Sequence, residues 1–262
     1  MSWALVLRLA GPLQAWGSSS QFNRRETDEV PTKSGIVGLL AAAQGRSRYA
    51  PIDDLVSLSV GVRADQPGSL LRDFHTVSSM DGSPLPSATM SAKGTQKPTS
   101  PKKLTHVTER FYLQDAIFVV VVGGPDLGLL TALAEAVRHP VFPLALGRRS
   151  CVPTQPLVLP SAEGDLWLGD TLEVLGRVPW QASDRVQRRA SMEGVELAVV
   201  ADRAYLVPEG ALLDTSHDVP VSFAPGRRHM RTREVVHVAV TIPSGRLATA
   251  PHDPFDLLRG IS

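Results

Sequence analysis

Cysteine is almost missing from this 262-residue chain, with Cys151 standing alone. One thiol excludes an internal disulfide framework and any zinc cluster built on cysteines, and it suits a reducing cytoplasm. Long hydrophobic runs are also missing. The apolar stretch Ala4–Ala10 is interrupted by Arg8 and closed by Gly11-Pro12, too short for the core of a signal peptide, and no segment has the length of a membrane span. Charge of one sign is not in excess: 27 basic residues against 26 acidic ones leave +1. A polyanion partner would therefore have to be met by local clustering. Aromatic residues make up only 5%, which leaves little material for extensive base stacking.

What is present is apolar residues at 43%, a mean hydropathy near zero, and 21 each of Gly and Pro. That composition predicts one large or two small globular domains made of many short elements. Trp3, Leu5, Leu7 and Leu9 alternate as a first strand, ended by Gly11-Pro-Leu-Gln-Ala-Trp-Gly17, which reads as a mobile loop carrying an aromatic ring. Pro31-Thr-Lys-Ser34 then leads into a helix that ends at Gly45. A short helix is expected over Asp53–Ser57, and Leu58, Val60 and Val62 alternate as a second strand.

From Val77 to Thr108 the chain is rich in Ser, Thr, Pro and Gly, has no aromatic residue, and sets Lys93, Lys97, Lys102 and Lys103 against Asp81 alone. Such a segment cannot form its own core, and it reads as a long basic hairpin or loop. Phe111–Val122 predicts a central strand buried on both faces. Asp126 caps a helix marked by Leu127, Leu130, Leu133, Ala134 and Val137, and Val141–Leu146 is a further strand candidate. Beyond about Pro153 the pattern suggests a smaller β-rich unit. Its strand candidates are Thr171–Val178, Val195–Ala201, Val219–Phe223 and Val235–Ile242, followed by a partly ordered tail.

Several groups carry candidate chemistry. Thr32-Lys33-Ser34-Gly35 at a helix start offers free N–H groups, a hydroxyl and an ammonium for an anion; taken alone, ordinary N-capping explains it better. The glycines of a nucleotide-hydrolysing P-loop do not precede it. Gln14, Trp16 and Gly17 fit either a base-contacting loop or a Trp that anchors its own loop. Arg148 and Arg149, after Gly147, suit phosphate contacts or a structural ion pair. Arg227 and Arg228 open the densest basic cluster, Arg227–Arg233, with the same two readings. His75 could serve as an acid or base with Tyr49 and Lys33, or as a positioning group; the remaining histidines show no metal-ligand spacing.

Leu9-Ala-Gly-Pro-Leu-Gln-Ala-Trp-Gly17, Pro31-Thr-Lys-Ser-Gly-Ile-Val-Gly-Leu-Leu40, Asp73-Phe-His-Thr76 and Leu146-Gly-Arg-Arg-Ser-Cys151 occur together in this order. In this combination the chain resembles the CasD family of type I-E Cascade subunits, within the CRISPR-associated RAMP superfamily. The resemblance implies an α+β fold: a ferredoxin-like (RRM-like) RAMP domain over 1–150 with a thumb at about 77–108, and a small β-rich domain over 151–262. It implies a non-catalytic subunit, without cofactor or metal, that caps the 5′ handle of a guide RNA in antiviral defence. The RNA contacts would be Gln14, Trp16, Gly17, Lys33, Ser34, Gly35, His75, Thr76, Arg148 and Arg149. The thumb lysines, Arg227 and Arg228 would meet RNA or partners, namely the backbone and large subunits with target DNA nearby, and no membrane. Metal-independent guide processing, known among relatives in type I-C systems, is the alternative.

Overall fold

The structure is a computed structural model that describes residues 2–17, 24–79, 92, 104–190, 194–203, 207–226 and 228–244. Its first strand, β1 (Trp3–Ala10), is followed by the short strands β2 (Leu13–Gln14) and β3 (Arg24–Arg25). Helices α1 (Lys33–Ala43) and α2 (Asp53–Val56) lead to β4 (Ser59–Gln66), β5 (Ser69–Ser79), β6 (Leu104–Gln114) and β7 (Ile117–Gly124). Then come α3 (Leu127–Arg138), β8 (Leu166–Leu168), α4 (Thr171–Arg177), α5 (Asp184–Gln187), β9 (Val195–Asp202), β10 (Leu212–Ser222) and β11 (His229–Ile242).

A seven-stranded sheet in the order β10-β11-β9-β4-β7-β1-β8 dominates this mixed α/β fold, and every pairing in it is antiparallel. The period-two pattern of β1 sends Leu5, Leu7 and Leu9 to one face, where they pack with α1, α2 and α3. Ala4 and Val6 point the other way, against α4. The valine run of β7 is split between the same two cores, with Val120 and Val122 on one side and Val119 and Val121 on the other. A strand covered on both faces has no polar side, which is why that run is continuous.

Four expectations change. The apolar run Phe111–Val122 is two strands, because Asp115 adopts φ 56° and turns the chain between β6 and β7. Phe111–Gln114 belong to a second sheet, in which β6 pairs with β5 from Gln114↔Ser69 to Leu104↔Ser79. Val141–Leu146 is not a strand; the N–H groups of Val141 and Phe142 donate to Ala43 and Ala42 and close the end of α1. Thr171–Val178 is a helix: Asp170 accepts from the Glu173 N–H at 2.9 Å, and Val174 and Leu175 are buried at helical spacing. Finally, the strands after residue 195 extend the main sheet, since β9 pairs with β4 through Gly61↔Ala201, Val62↔Val200 and Arg63↔Val199. The expected separate C-terminal β unit is thus continuous with the first sheet.

Arg63 fixes the α4 layer from beneath. Its fully buried guanidinium pairs with Asp65 and donates to the carbonyls of Leu175, Val178 and Pro179, which ties the end of α4 to β4.

The left-handed residue between the two sheets gives a stability test. Asp115→Val puts a β-branched side chain at positive φ and should cost about 1–3 kcal/mol in urea unfolding. Asp115→Gly should be tolerated, and equal losses in both variants would contradict this account of the turn.

Candidate nucleic-acid interface

The segment after β1 is an ordered edge. Gln14 is completely buried, and its amide donates to Leu9 O at 3.0 Å and Ala116 O at 2.7 Å while accepting from Trp16 Nε1 at 3.1 Å. Trp16 is 1% exposed. Its backbone is fastened by Thr27 Oγ1 and by the Asp28 N–H, and its ring lies on Gly35, where an added Cβ would sit 2.7 Å from a ring carbon. Gly35 is therefore needed for close packing of α1 on Trp16. The anchoring reading of Trp16 holds, and a mobile aromatic ring does not.

Gly147 explains the next motif. It has φ +87°, and a Cβ there would lie 1.8 Å from Ala15 O, so only glycine allows the 146–151 turn to press on the Ala15 backbone. Arg148 then folds back inside. It donates to Phe111 O at 3.0 Å, to Arg25 O at 2.9 Å and to Glu26 O at 3.1 Å, with its guanidinium 4.8 Å from the Tyr112 ring centroid. One side chain thereby joins the turn, β3 and β6. Arg149, its neighbour, is exposed and makes no hydrogen bond or ion pair among the described residues.

At the start of α1, Thr32 Oγ1 accepts from the Gly35 N–H at 3.2 Å as an N-cap. The anion at this helix end is internal: the Lys33 N–H donates to Asp218 at 2.7 Å. Lys33 Nζ lies 2.9 Å from Asp202, and Arg233 bridges Asp202 and Asp218 at 2.6 and 2.7 Å. Asp202 also accepts from the Val60 N–H at 2.8 Å. Burial alone would raise the Asp218 carboxyl, but the bonds and charge of Arg233, with the Lys33 N–H, hold it below the usual carboxylate range. Lys33 and Ser34 are both buried: Lys33 belongs to a clamp between α1, β9, β10 and β11, and the Ser34 hydroxyl is bonded to Thr32 at the helix start.

The outward-facing residues lie elsewhere. β3 runs parallel beside β6, with Arg24↔Glu109 and Arg25↔Arg110, and β5 runs antiparallel on its other side, with Asp73↔Arg110 and His75↔Thr108. Alternation puts Arg25, Arg110, Tyr112, Asp73 and His75 on one face of this small sheet. His75 Nε2 is 3.1 Å from Asp73, and Thr76 is exposed beside it. Arg24 lies on the opposite face, 5.0 Å from the Phe111 ring centroid and paired with Glu26 at 2.9 Å. Gly17 is exposed where the described chain leaves Trp16.

The structure thus leaves Gly17, His75, Thr76 and Arg149 as outward groups, with His75 on the Arg25–Arg110 face of the small sheet and Thr76 on its other face, while Gln14, Trp16, Lys33, Ser34, Gly35 and Arg148 form the support behind them. Arg25 and Arg110 were missed as candidates. The adjacent Arg pair after the tryptophan loop was the available signal for the first, and nothing local marks the second. Lys93, Lys97, Lys102, Lys103 and Arg227 lie outside the described residues, and Arg228 is exposed in the turn between β10 and β11. Among the described residues, no group of three or more His, Cys, Asp or Glu could hold a metal ion. No described helix is long and apolar enough to cross a membrane.

Residues 4–236 match the model of a family described as CRISPR-associated protein (Cas_Cas5), Cas5d. The CRISPR system Cascade subunit CasD of Escherichia coli (strain K12) is 36% identical over 172 residues, which are 59% of this chain and 69% of that protein. A chain in a solved CRISPR RNA-guided surveillance complex superposes with a TM-score of 0.71 at 32% identity, covering 98% of both chains. A second solved structure, described as a Cas protein, gives 0.60 at 30% identity over 95% of this chain and 100% of that one.

The clamp at α1 predicts an acid-sensitive contribution to stability. Because the folded-state value of Asp218 is depressed, its contribution is complete above the unfolded value near pH ~3.9 and is lost as pH falls through the lower folded value. Thermal melts of the wild type should therefore fall more steeply than those of Asp218→Asn below about pH 4. The variant should be less stable at neutral pH; parallel pH profiles would contradict the assignment.

Proposed function

The chain belongs to the Cas5 family of CRISPR-associated proteins, and on that footing we propose that it is a non-catalytic RNA-binding subunit of a type I-E surveillance complex, capping the 5′ handle of the guide RNA. The observation that carries this reading is the Arg25–Arg110 row with Arg149 at its side. Arg25 and Arg110 stand side by side on an edge whose backbone is fastened by Arg148, and the exposed Arg149 follows Arg148 in the same turn. Guanidinium groups held in place match phosphate oxygens through paired N–H bonds, and a glycine lets an RNA strand approach the main chain.

The fold supports the same reading. The order β8-β1-β7-β4, with α1 and α3 packed together on one face, supports reading this part of the main sheet as a ferredoxin-like (RRM-like) domain. The long β5–β6 pair is read as the base of the thumb of such a subunit. Backbone and large subunits of the complex, with target DNA nearby, are the partners this role requires, and the cytoplasm its setting.

Cleavage is disfavoured by placement. Lys33 is buried against Asp202 at the start of α1, whereas Tyr49 is exposed beyond its other end, roughly 16 Å away along an eleven-residue helix. His75 lies on β5 with Asp73 as its partner, and neither Lys33 nor Tyr49 bonds to it among the described residues. The three groups that could share acid–base work are not gathered.

Salt titrations of guide binding separate support from contact. Arg25→Ala with Arg149→Ala should weaken handle binding and lower the log–log salt slope by about 0.7 for each phosphate no longer neutralised. Lys33→Ala should lower the melting temperature and leave that slope unchanged. The opposite pattern would contradict the assignment, as would metal-independent cleavage of repeat RNA that disappears in His75→Ala.

A further inference from the structure

We propose that the protein carries a second surface for a phosphodiester backbone, formed by Arg8, Arg185, Arg188 and Arg189 on the α4-covered face of the main sheet. This surface lies on the face opposite α1 and α3. Arg8 follows Ala4 and Val6 on the α4 side of β1, and the segment Val178–Gln181 crosses that face, held by Arg63 and Asp65.

Helix α5 continues as turns, with Arg188 N–H donating to Asp184 O at 2.9 Å and Arg189 N–H to Val186 O at 3.0 Å. Val186 and Ala190 point inward and pack against the core of Trp180, Ala182, Leu197 and Ile242. Arg185, Arg188 and Arg189 stand at i, i+3 and i+4, which places them on one outward face with Cβ atoms roughly 5–6 Å apart. None of the three side chains makes a hydrogen bond or ion pair among the described residues. The element is rigidly mounted. Gln187 donates to the carbonyls of Trp180 and Ala182, and Ser183 is bound to Gln66, whose amide reaches Asp115 O at the root of the β5–β6 pair.

Arg8 supplies the second observation. Its Nε is enclosed without an acceptor, and its side chain's one hydrogen bond among the described residues is to the neutral amide of Gln181 at 3.3 Å. The carboxylate bound to the Gln181 N–H, that of Asp65, is already engaged by Arg63. Burial without a counter-charge lowers the affinity of Arg8 for its proton. A cation in that state gains when an anion arrives.

The residues favour nucleic acid over an acidic protein. Within 184–190 the single acid is Asp184, and the half-buried Val186 and Ala190 face the core, so the outward face offers no apolar or aromatic anchor of the kind that dominates protein interfaces. Clustered guanidinium groups without such an anchor suit sequence-independent backbone contact. The inference rests on the role proposed above only in taking nucleic acid as the polyanion at hand.

The test uses the full chain with two probes across a salt series, a mixed-sequence single-stranded RNA lacking the handle and a mixed-sequence duplex DNA. The triple variant Arg185→Gln, Arg188→Gln, Arg189→Gln should lower the salt slope by roughly 2 in at least one arm and weaken binding about tenfold or more. Arg8→Gln should act in the same arm. The arm affected identifies the source of the backbone, and handle RNA binding and melting temperature should be unchanged. Unaltered slopes in both arms would overturn the proposal. So would normal nucleic-acid binding accompanied by loss of a partner subunit, which would make the surface a protein contact. A wild-type chain that fails to bind handle RNA would refute the guide-capping role, while the two arms would still decide this one.

Discussion

The enclosed amide of Gln14 is the joint on which the molecule depends. It satisfies the end of β1, the start of β7 and the indole of Trp16 together, so the main sheet, the β5–β6 pair and the tryptophan meet at one buried group. A buried polar group in this position is favourable only when all its bonds are made, and here both donors and the acceptor are used. Trp16 then fixes the approach of α1 through Gly35, and the Ala15 backbone fixes the approach of the 146–151 turn through Gly147. Arg148 extends the same chain of contacts to β3 and β6. Residues far apart in sequence become one platform because each leans on the previous one.

Much of the framework could be read from local patterns. The alternation of β1, the caps at Thr32 and Asp126, the two-sided valine run and the polar break before β6 all follow from periodicity and turn chemistry. The misreadings have physical causes. Leu172, Val174 and Val178 satisfy a period of two as well as a helical stripe, and only the Asp170 cap with Leu175 burial decides between them. The run across Asp115 reads as continuous because dense apolar sequence flanks the short Gln114-Asp115 pair on both sides, and a positive φ at a non-glycine residue leaves no mark in composition.

At the candidate site the residue types were legible but their division of labour was not. Lys33, Arg148 and Arg149 are indistinguishable as cations in a sequence. Their roles separate only because Asp202, the carbonyls of β3 and β6, and solvent are their respective surroundings. The carboxylate that occupies the α1 terminus comes from Asp218, 185 residues further on, and no local motif announces it. Arg110 becomes part of a basic row only through the parallel pairing of β3 with β6.

On the proposed reading, RNA meets the β3–β6 edge, and Lys33 and Trp16 are internal support. Photo-crosslinking of an assembled complex carrying guide RNA with photoreactive bases in its 5′ handle, followed by peptide mapping, tests this most directly. Adducts on the peptides containing Gly17–Arg25, His75 or Arg149, with none on Lys33–Leu40, are the predicted result. Adducts confined to Lys33–Leu40, or absent from the β3–β6 edge, would contradict it.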